Sequence, residues 1–207
     1  SAPVYAFGDS LAGRSPVMQA LAAQEAIGGG EGVDEAFTPD QALPHGAVVD
    51  GDGWRIEALH TPGHFGNHMS FALGSALFSG DLVMGWASSL ISPPDGDLSD
   101  FMASLRALAA RDWRIFLPGH GDVVRTPAAR LAELLAHRQR REAEIRTALA
   151  HGPATAAELA ARIYTDTPPA LHPAAARNIL AHLINLRDRR LADAQGPLRS
   201  GAKFTLT

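Results

Sequence analysis

The sequence predicts an α+β fold in two parts: a mixed strand-and-helix part over residues 1–126 and a helical, winged-helix-like part over residues 127–207. Short β-type runs broken by Gly, Asp and Pro fill the first part, whereas amphipathic helical patterns fill the second. A chain of 207 residues is long enough to bury a hydrophobic core without help from disulfides. We therefore predict two folding units that meet near Pro127.

Five β-type runs predict strands in the first part, at Ala47–Asp50, Trp54–His60, His68–Leu73, Ala76–Ser79 and Trp113–Leu117, and Val4–Phe7 is a sixth strand-like run. Two linkers, Asp50–Gly53 and Gly74–Ser75, have the composition of hairpin turns. Helices are predicted over about 16–26 and 99–111, the second with Ser99 as its N-cap. Gly28–Gly30 predicts a mobile loop.

The second part predicts three helices, over about 127–150, 155–164 and 173–190, and then two short β-type pieces at Leu191–Ala194 and Lys203–Leu206. Pro127 suits the first position of a helix, where its missing N–H costs no hydrogen bond. Thr155 with Glu158 three residues later predicts a capping box. Three helices followed by a β-ribbon is the element order of a winged helix.

Charge and composition exclude several classes of protein. The chain has no cysteine, which excludes disulfides, thiolate metal sites and a cysteine nucleophile. No apolar run is long enough for a membrane helix, so we predict a soluble, cytoplasmic protein with no membrane partner. The net charge of -4 hides an asymmetry, because residues 1–127 hold 6 basic and 15 acidic residues and residues 128–207 hold 12 and 7.

Three segments place possible metal ligands in Gly/Pro-rich turns at predicted strand ends. They are His60–His68, with His64 after Gly63; Ser79-Gly80-Asp81; and Pro118-Gly119-His120. Two imidazoles and a carboxylate suit zinc, iron or manganese. The simpler interpretation is that each residue is an ordinary turn residue, hydrogen-bonded or solvated. The conjunction of three such segments, each with glycine before the candidate ligand, favours a metal site.

These segments resemble the third, fourth and fifth ligand motifs of the metallo-β-lactamase-fold hydrolases. The segment from Ile91 to Leu105 and the basic helix around His137–Glu142 are similar to the branch with a C-terminal winged helix, the beta-lactamase-like protein 2-like branch. The resemblance implies that residues 1–126 are the later part of an αβ/βα sandwich. It also implies that His64 and His120 bind metal and that Asp81 bridges two zinc ions. It suggests a supporting role for His68, and we interpret His60 as structural.

The family's His-x-His-x-Asp-His motif, which supplies most of the remaining ligands, occurs nowhere in these residues. The resemblance implies hydrolysis of an ester, thioester or phosphodiester by metal-bound hydroxide. With three ligands we expect the chain alone to bind one metal weakly or none, and so to be incomplete or inactive. Because Ser1 is not Met and the three ligands are retained, we expect an upstream segment to carry the motif. The uncovered sheet face favours a homodimer.

The basic part supports an alternative, a non-catalytic nucleic-acid-binding or scaffolding protein. Arg177, Arg187, Arg189 and Arg190 lie on or after the predicted last helix, but apolar residues occupy much of its surface. This pattern does not favour sequence-specific DNA binding. The resemblance suggests instead that this part covers the substrate cleft, with single-stranded RNA or a small ester or thioester as substrate. We interpret Arg138, Arg140 and Arg141 as a solvated helix face.

Overall fold

The computed structural model describes residues 2–24, 27 and 32–207. The predicted loop Gly28–Gly30 and the last residues of the predicted first helix lie outside this range. In chain order the strands are β1 (Tyr5–Ala6), β2 (Gln41–Ala42), β3 (Val48–Gly51), β4 (Trp54–His60), β5 (Met69–Leu73), β6 (Ala76–Gly80), β7 (Ile115–Pro118), β8 (Ala154–Thr155), β9 (Ala192–Ala194) and β10 (Lys203–Leu206). The α-helices are α1 (Pro16–Ala23), α2 (Leu98–Ala109), α3 (Pro127–Leu149), α4 (Ala156–Ile163) and α5 (His172–Asp188).

The central sheet has five strands in the order β3-β4-β5-β6-β7. Both predicted hairpins are present, because β3 pairs antiparallel with β4 through a turn at residues 52–53 and β5 pairs antiparallel with β6 through a turn at residues 74–75. The crossover containing α2 makes β7 parallel to β6. Since β4, β6 and β7 run in one direction, the residues that follow them gather at one edge of the sheet.

One face of this sheet is buried and the other is partly open. The buried face carries side chains from three strands, Leu59, Leu77 and Phe116. They pack in one core with residues of α2, including Phe101 and Leu105. The opposite face carries the cross-strand pair Phe71 and Phe78, and the Phe78 residue is 41% exposed. The second face of the sheet therefore also carries apolar side chains, and the described residues leave it partly uncovered.

The C-terminal part has the predicted winged-helix order. Strands β8, β10 and β9 form a small antiparallel sheet beside α4 and α5, and Phe204 is fully buried in the core beneath it. The pairing of β8, which the sequence did not predict, involves only Ala154 and Thr155. Strand β1 pairs in parallel with β2, another strand that the sequence did not predict.

Helix α3 spans both hydrophobic cores. Its N-terminal half contributes Leu131 and Leu134 to the core of the central sheet, whereas Ile145 and Leu149 belong to the core of the winged helix. Helix α1, which precedes the sheet, also packs into the winged-helix core through Met18. The two parts thus share a helix; the boundary at residue 126 stays a prediction. Within the described residues, no helix is both long and apolar enough to cross a membrane.

The helix termini follow the predicted chemistry with one correction. Helix α3 begins at Pro127, and Thr155 and Glu158 form the predicted capping box of α4. The N-cap of α2 is Asp97, whose carboxylate accepts a hydrogen bond from the Ser99 N–H, so the prediction of Ser99 as N-cap was wrong. A carboxylate at this position satisfies a free helix N–H and also interacts favourably with the helix dipole.

The interpretation of Arg138 as part of a solvated helix face was also wrong. Arg138 is 2% exposed, and its guanidinium donates to the Asn178 side chain and to the Ser89 carbonyl oxygen. It also lies over the Phe101 ring, 5.0 Å from the ring centroid. The helix α5 that buries it is far away in sequence, so the local charge pattern could not reveal this. Arg140 is exposed, as predicted, but the prediction was wrong for Arg141, whose side chain is 16% exposed and lies over the Tyr164 ring.

Candidate functional site

The three segments singled out in the sequence lie at the same edge of the central sheet. His64 lies in the connection from β4 to β5, Asp81 directly follows β6, and His120 follows β7. Gly63 lets the first connection pass close to α2, because a Cβ at this position would lie 2.3 Å from the Phe101 Cα. Its φ of +141° is also a conformation that other residues rarely adopt.

Asp81 and His120 are in direct contact. The Nδ1 atom of His120 lies 2.7 Å from Oδ1 of Asp81. A carboxylate oxygen can only accept, so Nδ1 carries the proton and Nε2 is the remaining nitrogen of the ring. The two side chains differ in accessibility, with 73% of the His120 side chain and 27% of the Asp81 side chain exposed. The pair therefore lies at the surface and is open to a ligand.

His64 is oriented by the backbone of the segment after Asp81. Its Nδ1 lies 2.9 Å from the carbonyl oxygen of Leu90. Because this oxygen is an acceptor, Nδ1 is the donor, and Nε2 is the ring nitrogen left for another partner. A histidine held in this way is prepared to bind a metal through Nε2.

His68 lies beneath the site rather than in it. Its Nδ1 is 3.0 Å from both the carbonyl and the hydroxyl oxygen of Thr61, and its Nε2 lies close to Gly80. Burial lowers the pKa of His68 to about 4, and the nearby His64 contributes to this lowering. His68 is therefore neutral at pH 7 and lies next to Gly80, and its supporting role stays a prediction.

His60 has a packing role. Its Nε2 lies 2.8 Å from the Gly66 carbonyl oxygen, and its ring stacks on Phe7 with centroids 3.6 Å apart. Burial lowers the pKa of this imidazole. These contacts tie the connection between β4 and β5 to the N-terminal segment and account for His60 without a ligand role.

Two arginines of α3 hold the segment from Asp81 to Leu90, a feature that the sequence analysis missed. Arg130 donates to the carbonyl oxygens of Met84 and Ala87, at 2.8 and 2.7 Å, and Arg138 donates to that of Ser89. Ser89 in turn donates from its hydroxyl to the Asp81 carbonyl oxygen. Arg130 and Arg138 are eight residues apart, a spacing that places them on the same side of α3. This spacing is the only sequence feature that could have indicated their shared role.

The donors present suit a divalent metal by type, but their arrangement is incomplete. Two imidazoles and one carboxylate are ligands that zinc, iron and manganese accept. Among the described residues, however, no group of three His, Asp or Glu side chains is placed to hold a metal ion. Asp81 and His120 come together, whereas His64 is oriented separately by Leu90. The described residues thus bring two of the three predicted ligands into contact, and metal binding by them stays a prediction.

Comparison with known proteins adds independent evidence. Residues 155–197 match the model of the beta-lactamase associated winged helix domain. The beta-lactamase-like protein 2 homolog of Drosophila melanogaster is 34% identical over 149 residues, which are 70% of this chain and 49% of that protein. These matches support the assignment of the chain to the metallo-β-lactamase superfamily, in the branch with a C-terminal winged helix.

Two further proteins resemble the chain as well. The atrochrysone carboxyl ACP thioesterase of Passalora fulva is 35% identical over 135 residues, covering 60% of this chain and 39% of that protein. A metallo-β-lactamase family protein from Thermus thermophilus superposes over the whole chain and 72% of its own length, with a TM-score of 0.78 and 24% identity. The fold is therefore that of a metallo-β-lactamase domain with a winged helix. The chain spans about half the length or less of these curated relatives.

Proposed function

We propose that this chain carries the later part of the active site of a metal-dependent thioester hydrolase. The observation that supports it most is the contact between His120 and Asp81, two candidate ligands that meet at the edge of the sheet. His64 at the same edge keeps Nε2 for a ligand. When a metal such as zinc is bound, it supplies a Lewis acid and an activated water.

In this proposal the remaining ligands come from a segment with the His-x-His-x-Asp-His motif. His64, Asp81 and His120 belong to the metal site, and the segment from Asp81 to Leu90 keeps two of them in place through Ser89 and Leu90. Thioesters are favoured over other esters and phosphodiesters because similar proteins are named as thioesterases. Cytoplasmic location and self-association through the open sheet face stay predictions.

Zinc binding by the chain tests the site. Equilibrium dialysis should detect weak binding of at most one ion, and Asp81→Asn or His120→Ala should abolish it. Asp122→Asn is the matched control, since Asp122 is an exposed carboxylate close to His120 in sequence. Equal zinc binding by all these variants would contradict the ligand assignment.

Activity tests the substrate class. The coding sequence upstream of residue 1 is first read for His-x-His-x-Asp-His, and the extended protein is then assayed on an acyl thioester and on single-stranded RNA. We expect thioester hydrolysis that Asp81→Asn abolishes. Lack of the motif, or RNA cleavage without thioester cleavage, would overturn the proposal.

The alternative of a non-catalytic nucleic-acid-binding protein has less support in the contacts of the basic part. Arg187 pairs with Asp193 and Arg189 pairs with Glu142, so these two charges are partly neutralised within the chain. Arg138 is buried. Salt-sensitive RNA binding that is unchanged by Asp81→Asn, with no metal binding, would favour this alternative.

A further inference from the structure

A cavity of about 510 Å³ lies between α2, α3 and α5, away from the residues of the sheet-edge site. None of the candidate metal ligands lines it. Its walls combine arginines with neutral polar groups, and the polar lining residues that matter here are Arg106, Arg138, Gln139, His182, Asn185 and Arg189. A volume of this size is in the range that small-molecule ligands occupy.

His182 is the most unusual residue of this cavity. It is 1% exposed, and neither ring nitrogen has a hydrogen-bond partner among the described residues. Burial lowers the pKa of His182 well below its usual value, and the Arg138 charge lowers it further. The ring is therefore neutral at pH 7 and offers one donor and one acceptor that the described residues leave unused. Such a buried polar group is costly unless something else satisfies it.

Arg138 also has a buried polar atom that lacks a hydrogen-bond partner among the described residues. Its two terminal nitrogens donate to Asn178 and Ser89, but its buried Nε has no hydrogen-bond partner in the described part of the chain. The pKa of Arg138 is lowered to about 10 by burial, so the guanidinium is still charged at pH 7. One buried positive charge and two unused donors thus line the same cavity.

The remaining charges of the cavity are also mostly positive. Arg106 and Arg189 lie among the lining residues, and the acidic one, Glu142, already accepts a hydrogen bond from Arg189 at 2.7 Å. Asn185 donates to Ser99 at 2.8 Å, which links α5 to α2 at this cavity. An anion with acceptor oxygens would satisfy the free donors, and a ligand hydroxyl would satisfy the acceptor nitrogen of His182.

We propose that this cavity is a second binding site, for a small phosphate ester that carries hydroxyl groups. The phosphate interacts with Arg106 and Arg138, and a hydroxyl of the ligand donates to His182. The cavity contains none of the candidate metal ligands, although Arg138 also donates to the Ser89 carbonyl oxygen in the segment that follows Asp81.

Isothermal titration calorimetry of the chain with ribose 5-phosphate, and with inorganic phosphate as the minimal probe, tests the proposal. We expect ribose 5-phosphate to bind more tightly than phosphate. Arg106→Ala should weaken both about tenfold, the effect of losing one charge-assisted hydrogen bond. Arg140→Ala is the matched control, an exposed arginine of α3 outside the cavity, and should leave both affinities within about twofold.

His182→Leu separates ligand binding from a structural role. This substitution should weaken the binding of ribose 5-phosphate more than the binding of inorganic phosphate. Circular dichroism should show that the variant is folded. If His182→Leu does not fold, the comparison of Arg106→Ala with Arg140→Ala decides alone. No binding of either probe at millimolar concentration, equal affinities in all variants, or binding of an RNA oligonucleotide without ribose 5-phosphate would overturn the proposal.

Discussion

The Nδ1 atom of His120 lies 2.7 Å from Oδ1 of Asp81, although 39 residues separate the two in the chain. The parallel pairing of β6 and β7 brings them together, because each residue follows one of these strands. The contact is partly solvated, so we expect it to contribute little to stability.

Asp81→Asn should leave the stability of the metal-free chain nearly unchanged. A polar contact with one partner so exposed contributes at most about 1 kcal/mol to the free energy of unfolding. Urea unfolding in the presence of a chelator measures the change in the free energy of unfolding. Glu57→Gln, which disrupts the exposed pair of Glu57 with Arg111, is the comparison and should have a similarly small effect. A loss well above this value for Asp81→Asn alone would mean that the contact is structural.

Arg138→Ala should destabilise the protein by about 3 kcal/mol. The substitution leaves a cavity next to Phe101 and removes the donors to Asn178 and Ser89, both within the interior. Urea denaturation followed by circular dichroism measures the change. Arg140→Ala on the exposed side of the same helix should shift the stability by less than about 0.5 kcal/mol. Equal unfolding midpoints for the two variants would contradict the burial of Arg138.

Gly63→Ala should destabilise the protein by at least about 2 kcal/mol. The new Cβ would lie 2.3 Å from the Phe101 Cα, which the backbone of α2 cannot easily avoid, and φ is +141°. Gly201→Ala is the control, because a Cβ there meets nothing within 4 Å. Thermal unfolding of both variants tests this, and a Gly63→Ala protein as stable as Gly201→Ala would refute the close approach.

Thr155→Ala should cost about 1 kcal/mol, because it removes the hydroxyl that caps α4 and leaves the Glu158 side chain without half of its capping box. Thr147→Ala, in the interior of α3 and exposed, should be neutral or slightly stabilising, since Ala is the better helix former. Chemical denaturation of the two variants distinguishes a capping effect from a general effect of losing threonine.

Acid should destabilise the protein partly through His182. Its folded-state pKa lies well below the ordinary value of 6.5, so below about pH 6.5 the unfolded chain binds a proton that the folded chain does not. Stability is therefore fully present above pH 6.5 and falls as the pH decreases. His182→Leu should reduce this pH dependence, whereas His151→Leu, at an exposed position, should not. Unfolding midpoints measured from about pH 7.5 to about pH 5 check the slopes, and identical slopes for wild type and His182→Leu would contradict the prediction.

The sequence alone determined the local structure well. Hairpin turns, the proline at the start of α3 and the capping box at Thr155 are decided by residues within a few positions, so their chemistry is visible in the chain. The motifs around His64, Asp81 and His120 were sufficient to recognise the superfamily. The N-cap of α2 was the local exception, because Asp97 and Ser99 are both good caps and a shift of two residues decides between them.

Only the tertiary structure decided which side chains meet and which are buried. The sequence predicts Arg138 as a surface residue because its own helix is polar around it, and it is buried only because α5 and the segment at Ser89 cover it. The pairing of β1 with β2 and the burial of His182 depend on contacts between distant residues in the same way. Residue type and spacing encode the short-range energies, whereas burial and long-range contacts are properties of the assembled elements.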